Sequence, residues 1–183
     1  MSLRETIENY NPLDEQEERD KEQMLMFIDN FDDVLTRNNL IGHFSASAFV
    51  VNEDKNKMAA IYHIINDGWA YPGGHADGEE NLLEVAHREV LEETGLKAKI
   101  LDPSPRLLST NAVPPHIKRG LFIPSHLHFD LVYLMQADDT IPLEYRMDES
   151  KGVKWIPFDE IETENMVGFI RPLALKMTNR LWG

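Results

Sequence analysis

A chain of 183 residues, 42% of them hydrophobic, has the length of one domain and enough apolar content to bury a core, which excludes wholesale disorder. Its net charge of -14 would repel a phosphate backbone and argues against a nucleic-acid polymer as partner, while a small phosphorylated substrate accompanied by a divalent cation stays open. The absence of cysteine removes disulfides, thiolate metal sites and cysteine nucleophiles, and fits a cytoplasmic protein.

No apolar run reaches the length that crosses a bilayer, and the first residues lack a signal-peptide block, so no membrane partner is expected. Residues 13–37 are acidic and then amphipathic. Leu25, Phe27, Ile28, Phe31 and Val34 approximate helical spacing, which predicts a helix over about 15–37. Residues 1–40 are taken as an N-terminal helical segment and 41–183 as the main domain. HFSASAFVVN (43–52) reads as a strand, EDKN as a turn, and KMAAIYHI (57–64) as the antiparallel partner. NDGWAYPGG reads as a loop punctuated by Gly and Pro.

A helix over 82–94 and a strand over 97–102 follow. Residues 103–125 carry Pro103, Pro105, Pro114, Pro115 and Pro124 and are expected to be mostly loop. HLHFDLVYLMQA (126–137) is the clearest strand. GVKWIPF (152–158) is a shorter one, and DEIETEN begins a turn or short helix. FIRPLALKMTNRLW (169–182) is expected to close the chain as a helix with Pro172 in its first turn. Strands interspersed with helices predict an α/β (α+β) sandwich of layers.

The stretch GGHADGEENLLEVAHREVLEETGL (73–96) packs seven acidic residues into twenty-four positions. Asn81 is a good N-cap, Glu84 completes a capping box, and Gly95 suits a left-handed C-terminal position. Leu83, Ala86, Val90 and Thr94 share the face expected to be buried. Glu89, Glu92 and Glu93 fall within a sector of about 100° on another side. Glu89 and Glu93 are like charges four residues apart, which costs a few tenths of a kcal/mol. Arg88 can pair with Glu84 or Glu92. A solvated acidic face is one reading; the other is a site for hard divalent cations, which take oxygen ligands and relieve the repulsion.

Here the stretch resembles the Nudix box, Gly-x5-Glu-x7-Arg-Glu-(apolar)-x-Glu-Glu-x-Gly-(apolar). The matching residues are Gly74, Glu80, Arg88, Glu89, Val90, Glu92, Glu93, Gly95 and Leu96. The preceding WAYPGGH is similar to the usual lead-in, and the order of elements over roughly 42–182 is similar to the rest of that fold. The resemblance implies an α/β/α sandwich with a mixed central sheet, here with an N-terminal helix. It also implies hydrolysis of a diphosphate linkage in a nucleoside-diphosphate derivative, with Mg²⁺ or Mn²⁺ as cofactor. Carried over by position, Glu89, Glu92, Glu93 and the Gly73 carbonyl are the implied metal ligands, with Glu89, Glu92, Glu93 and Arg88 the catalytic set. Gly74, Glu80 and Gly95 are implied to support the box, Glu80 and Arg88 bracing loop and helix. Glu89 is the candidate for assisting deprotonation of water. Dimers are common in the family, so a homodimer is an expected assembly.

HLHFD places His126, His128 and Asp130 on one strand face, a polar stripe suited to lining a substrate cleft or adding a metal ligand and equally to an exposed sheet face or satisfied buried histidines. A His-rich zinc site is disfavoured because the box already supplies a hard-ion site. HIKRG (116–120) is the longest basic cluster, and its Lys118 and Arg119 can clamp phosphates. Asp148 and Glu149 can supply a late acidic group. Trp69 and Tyr71 offer stacking surfaces or packing. Two other functions compete: a non-catalytic nucleotide sensor, disfavoured by the intact acidic set, and an isopentenyl-diphosphate-isomerase-like activity, disfavoured by the missing cysteine.

Overall fold

The computed structural model describes residues 1–118, 120–145 and 150–181. Arg119, Asp148, Glu149 and the last two residues, where the closing helix was expected to end, lie outside them. The chain begins with two helices, α1 (Leu3–Glu8) and α2 (Glu15–Asn30). Strands β1 (Gly42–Val51), β2 (Lys57–His63), β3 (Gly68–Ala70) and β4 (Gly73–His75) precede helix α3 (Leu82–Thr94). Then come β5 (Lys99–Ile100), β6 (Leu107–Val113), β7 (His116–Lys118), β8 (Leu121–Ile123), β9 (His126–Gln136) and β10 (Ser150–Pro157), a short 3₁₀ turn, and α4 (Ile170–Leu181).

The sheet is mixed, as expected, with the order β10-β2-β1-β9-β5; β3 joins β2, β4 joins β1 and β6 joins β9. β1 and β9 run parallel along their whole length, His43 opposite His128 and Ser45 opposite Asp130. β1 is the central strand and all ten of its residues are buried. Its period of two splits them between two cores. Phe44, Ala46, Ala48 and Val50 face a cluster with Met24 and Phe27 of α2 and Val85, Ala86 and Val90 of α3. Phe49 and Val51 face a second cluster with Leu173, Ala174 and Met177 of α4. Helices therefore cover both faces of the sheet, which is the layered sandwich expected.

Four expectations need correction. The helix predicted to reach residue 37 stops at Asn30, and Phe31 is already extended, with φ −137° and ψ 135°. The loop expected at 66–74 carries the short strands β3 and β4, paired to β2 and β1. Residues 103–125 hold β6, which runs antiparallel to β9 from Leu107 to Val113, and the β7–β8 hairpin. The prolines lie between these strands, where a missing N–H breaks no ladder. On α3 the buried face is Leu82, Val85, Ala86, Val90 and Thr94, with Leu83 only partly covered. No helix among the described residues is long and apolar enough to cross a membrane.

Candidate active site

α3 is fixed at both ends. The Asn81 side chain accepts a hydrogen bond from the Glu84 N–H at 3.4 Å, and Gly95 takes a left-handed conformation, φ 72°, with its N–H on the Leu91 carbonyl. The capping box is half-made: the Asn81 N–H donates to Glu79 at 3.0 Å, not to Glu84. Between these ends the helix presents Glu89 and Glu93, both half-buried, and an exposed Glu92.

β4 lies beside β1 with Gly73 opposite Ser47, Gly74 opposite Ala46 and His75 opposite Ser45. The Gly73 N–H donates to Glu93 Oε2 at 2.9 Å. A Cβ at Gly74 would come within 2.5 Å of the Glu89 carboxyl carbon. Glycine at 74 is thus what allows a carboxylate to lie flat against the strand. Arg88 approaches Glu89 and Glu92 only loosely, at 3.9 Å each. Glu80 is exposed just ahead of the N-cap, with no ion pair to Arg88 among the described residues.

On the other face of β1 and β9 lies a cleft of about 260 Å³. His43, His63, His75, His116, His126 and His128 line it, six of the seven histidines of the chain, together with Lys118 on β7 and Phe122 on β8. A second hollow, sharing His63, His75 and His128 with the first, extends to Gly73, Gly74, Tyr71 and Asp130. The glycine strand therefore separates the carboxylates of α3 from a histidine-lined groove. Of the polar stripe expected on β9, His126 and His128 line the groove, while Asp130 is fully enclosed and accepts hydrogen bonds from Ser45 Oγ at 2.9 Å and Ser47 Oγ at 3.0 Å. Burial pushes the Asp130 carboxyl up to about 6, against the opposing pull of the two hydroxyls.

Burial also depresses the histidines, His43 to about 4, His128 to about 3 and His75 to about 2, so their imidazoles are neutral at pH 7. His43 is 3% exposed, and neither of its ring nitrogens makes a hydrogen bond of full geometry, the Asn39 backbone being only weakly placed to accept one. A buried polar group left so costs about 1–3 kcal/mol. Trp69 is packed rather than open for stacking: its ring meets Tyr62 edge-on and the Lys154 ammonium lies 4.6 Å from its centre. His43, His63 and His75 were not singled out from the sequence. The one signal for them was position, His43 two residues before Ser45 on an alternating strand and His75 directly after the paired glycines.

The family profile of the NUDIX domain matches residues 42–176. Among curated proteins, the m7GpppN-mRNA hydrolase NUDT17 of Xenopus laevis is 40% identical over 78 residues, 43% of this chain and 26% of its own. The probable DHNTP pyrophosphohydrolase of Lactococcus lactis is 33% identical over 95 residues, 52% of this chain and 54% of its own. This chain thus spans between about a quarter and about half of the length of these relatives. A NUDIX-family hydrolase from Clostridium perfringens superposes with a TM-score of 0.56 at 22% identity, over 76% of this chain and 97% of the other. An Ap4A hydrolase of C. elegans gives 0.56 at 15% identity, over 76% and 98%. These superpositions bear on the fold alone. With well over half of its residues inside the matched region, this chain belongs to the NUDIX hydrolase family.

Proposed function

We propose that this chain hydrolyses a diphosphate linkage in a nucleoside-diphosphate derivative, with Mg²⁺ or Mn²⁺ held by Glu89, Glu92, Glu93 and the Gly73 carbonyl. The observation that carries the reading is the lodging of the Glu89 and Glu93 side chains against the glycines of β4. The donor set is all oxygen, which fits a hard cation and leaves coordination positions for water and phosphate. Its like charges lie on one helix face and Arg88 stands 3.9 Å away, so a cation relieves more repulsion than the arginine does. A bound ion supplies charge neutralisation for the leaving phosphate and a more acidic water.

The chain's own groups divide the remaining work. The Gly73 N–H orients Glu93, and half-buried Glu89 is the candidate to take the proton of the attacking water. Lys118 lines the cleft and offers a donor to phosphate, while the rings of His126 and His128 form part of the wall beside it. Asp130 has a different part: enclosed and tied to Ser45 and Ser47, it fixes β9 to β1 beside the glycine strand. The names of the relatives, a pyrophosphohydrolase and an mRNA hydrolase, support anhydride chemistry on nucleotides. The charge of -14 favours a small nucleotide derivative over a capped polymer. The cysteine-free composition supports the cytoplasm, and a homodimer remains our expectation for the assembly.

The test is a phosphatase-coupled phosphate-release screen with Mg²⁺ and Mn²⁺. The panel covers nucleotide sugars, ADP-ribose, oxidised nucleotides, dinucleoside polyphosphates and coenzyme A. We expect turnover of at least one class, and a loss of orders of magnitude in kcat in Glu93→Gln with the melting temperature unchanged or raised. Full Mg²⁺-dependent activity in that variant would refute the ligand assignment, and silence across the panel would favour a nucleotide-binding sensor.

A further inference from the structure

We propose that His43, His75 and His128 form a second metal site, nitrogen-ligated and suited to Zn²⁺ or a similar divalent transition ion. It is separate in place and in chemistry from the carboxylate set of α3. The inference does not depend on the diphosphate reading.

The three rings come from three paired strands, β1, β4 and β9. Each offers one nitrogen, and these nitrogens lie within 4.8 Å of one another. The ring centres are 5.1 Å apart for His43 and His75, 4.8 Å for His43 and His128, and 4.9 Å for His75 and His128. Imidazoles bound to one tetrahedral ion at about 2.0–2.1 Å have centres roughly 5 Å apart. The nitrogens themselves would then be about 3.3 Å apart, so small ring rotations suffice to close the site.

Independent of this spacing, His43 is enclosed, neither ring nitrogen makes a hydrogen bond of full geometry, and its backbone partner is the weakly placed Asn39. A neutral imidazole carries one N–H and one lone pair; the Asn39 backbone can take the N–H, which leaves the enclosed lone pair without a donor. An ion would take the lone pair. His126 adds a constraint on the third ring. Its Nδ1 lies 2.8 Å from the Pro124 carbonyl and must donate to it, which leaves its Nε2 as an acceptor. That Nε2 is 3.1 Å from the Nε2 of His128, so His128 carries its proton there and has a bare Nδ1. A neighbour that fixes the tautomer of a ligand is a common outer partner in metal sites.

Nitrogen donors select Zn²⁺, Ni²⁺, Cu²⁺ or Co²⁺ over Mg²⁺, the reverse of the glutamate set. Three protein ligands with a cleft in front also leave a coordination position for water or an anionic oxygen, the pattern of an open rather than a closed structural site. Lys118, on the rim of the same cleft, would face that anion.

The test uses the full chain without an affinity tag, stripped by a chelator and held in excess Mg²⁺ to occupy the carboxylate set. Co²⁺ is titrated and its visible d–d absorption recorded, followed by displacement with Zn²⁺. One ion per chain with the intense band of low coordination number is expected. His75→Gln and His128→Gln should each weaken Co²⁺ binding by at least the roughly 10–100-fold that loss of an outer partner alone costs, while Glu93→Gln should leave it within about twofold. Circular dichroism checks each variant for folding. Histidine-ring ¹⁵N spectra of the unaltered protein give a readout free of variants, with Zn²⁺ shifting the signals of His43, His75 and His128. Binding unchanged in the histidine variants, binding lost in Glu93→Gln, or ring signals that do not move with Zn²⁺ would each overturn the proposal.

Discussion

An alanine at position 74 would place its Cβ 2.5 Å from the Glu89 carboxyl carbon, whereas one at position 73 would meet the Ala46 carbonyl at 2.8 Å. The two neighbours differ in what can yield. A glutamate tip can swing aside, and the backbone of the central strand cannot. Gly74→Ala should therefore leave the unfolding midpoint in urea nearly unchanged while lowering turnover as severely as loss of Glu89. Gly73→Ala should cost about 1–3 kcal/mol of stability through overpacking. Equal stability losses in the two variants would contradict this. The same scale shows what local sequence can reveal. Asn81, Gly95 and the acidic trio were legible because capping and helical spacing are properties of neighbours in the chain. His43 and His75 were not, because each stands alone in its segment and meets the others only through the β1–β9 and β1–β4 registers. The stripe on β9 was legible, but the enclosure of Asp130 by two serines of another strand was not.

Elements reveal the same division between local and long-range causes. The apolar spacing that predicted a helix to residue 37 is real, since Phe31 and Leu35 pack on the core and Val34 is buried in it. Yet the helix ends at Asn30, whose amide donates to the Met26 carbonyl at 2.7 Å and competes for the last turn. That turn has no basic residue, and Asp32 and Asp33 follow it, the wrong charge for the end of a helix dipole. The apolar run then continues in irregular chain, where the Val34 carbonyl accepts from the Phe44 N–H at 2.9 Å. β6 was hidden by its prolines for a similar reason: composition marked the gaps between strands and obscured the strand itself. Its free edge is covered by α2, with Asp20 accepting from the Thr110 N–H at 3.1 Å and Gln16 donating to the Leu108 carbonyl at 3.2 Å. α2 is joined to α4 by Glu17, fully buried, which pairs with Arg180 and, at 3.4 Å, with Lys176. Removing one partner of a buried ion pair strands the other charge. Arg180→Met should thus destabilise by about 3 kcal/mol, the lower end of the usual range because Lys176 remains. Adding Glu17→Gln should recover part of the loss, and a simple sum of the two single effects in urea unfolding would show that the pair is not coupled.

The whole molecule joins two cores through one central strand, so groups far apart in sequence should lose protection in one cooperative step. Tyr10 and Tyr133, both in the first core, test this from the N-terminal segment and from the sheet. The Tyr10 hydroxyl donates to Glu17 at 2.8 Å, and Tyr133 is 3% exposed on β9. Burial raises both phenols above their ordinary value of 10.0, with the carboxylate of Glu17 adding to the effect for Tyr10 and that of Asp130 for Tyr133. Raised values in the folded state mean that the stabilisation is fully present below pH 10 and is lost as the pH climbs beyond it, because only the unfolded chain releases the protons. Each such group contributes a slope of about 1.4 kcal/mol per pH unit, so the pair contributes roughly 2.7 kcal/mol per pH unit above pH 10. Urea unfolding followed from pH 9 upward should show this slope in the native sequence, and the double variant Tyr10→Phe, Tyr133→Phe should be shallower by that amount. The comparison between the two chains cancels the lysines, which titrate in the same range in both. An unchanged slope would mean that these phenols ionise in the folded protein, and that the N-terminal helices and the sheet do not protect them as one unit.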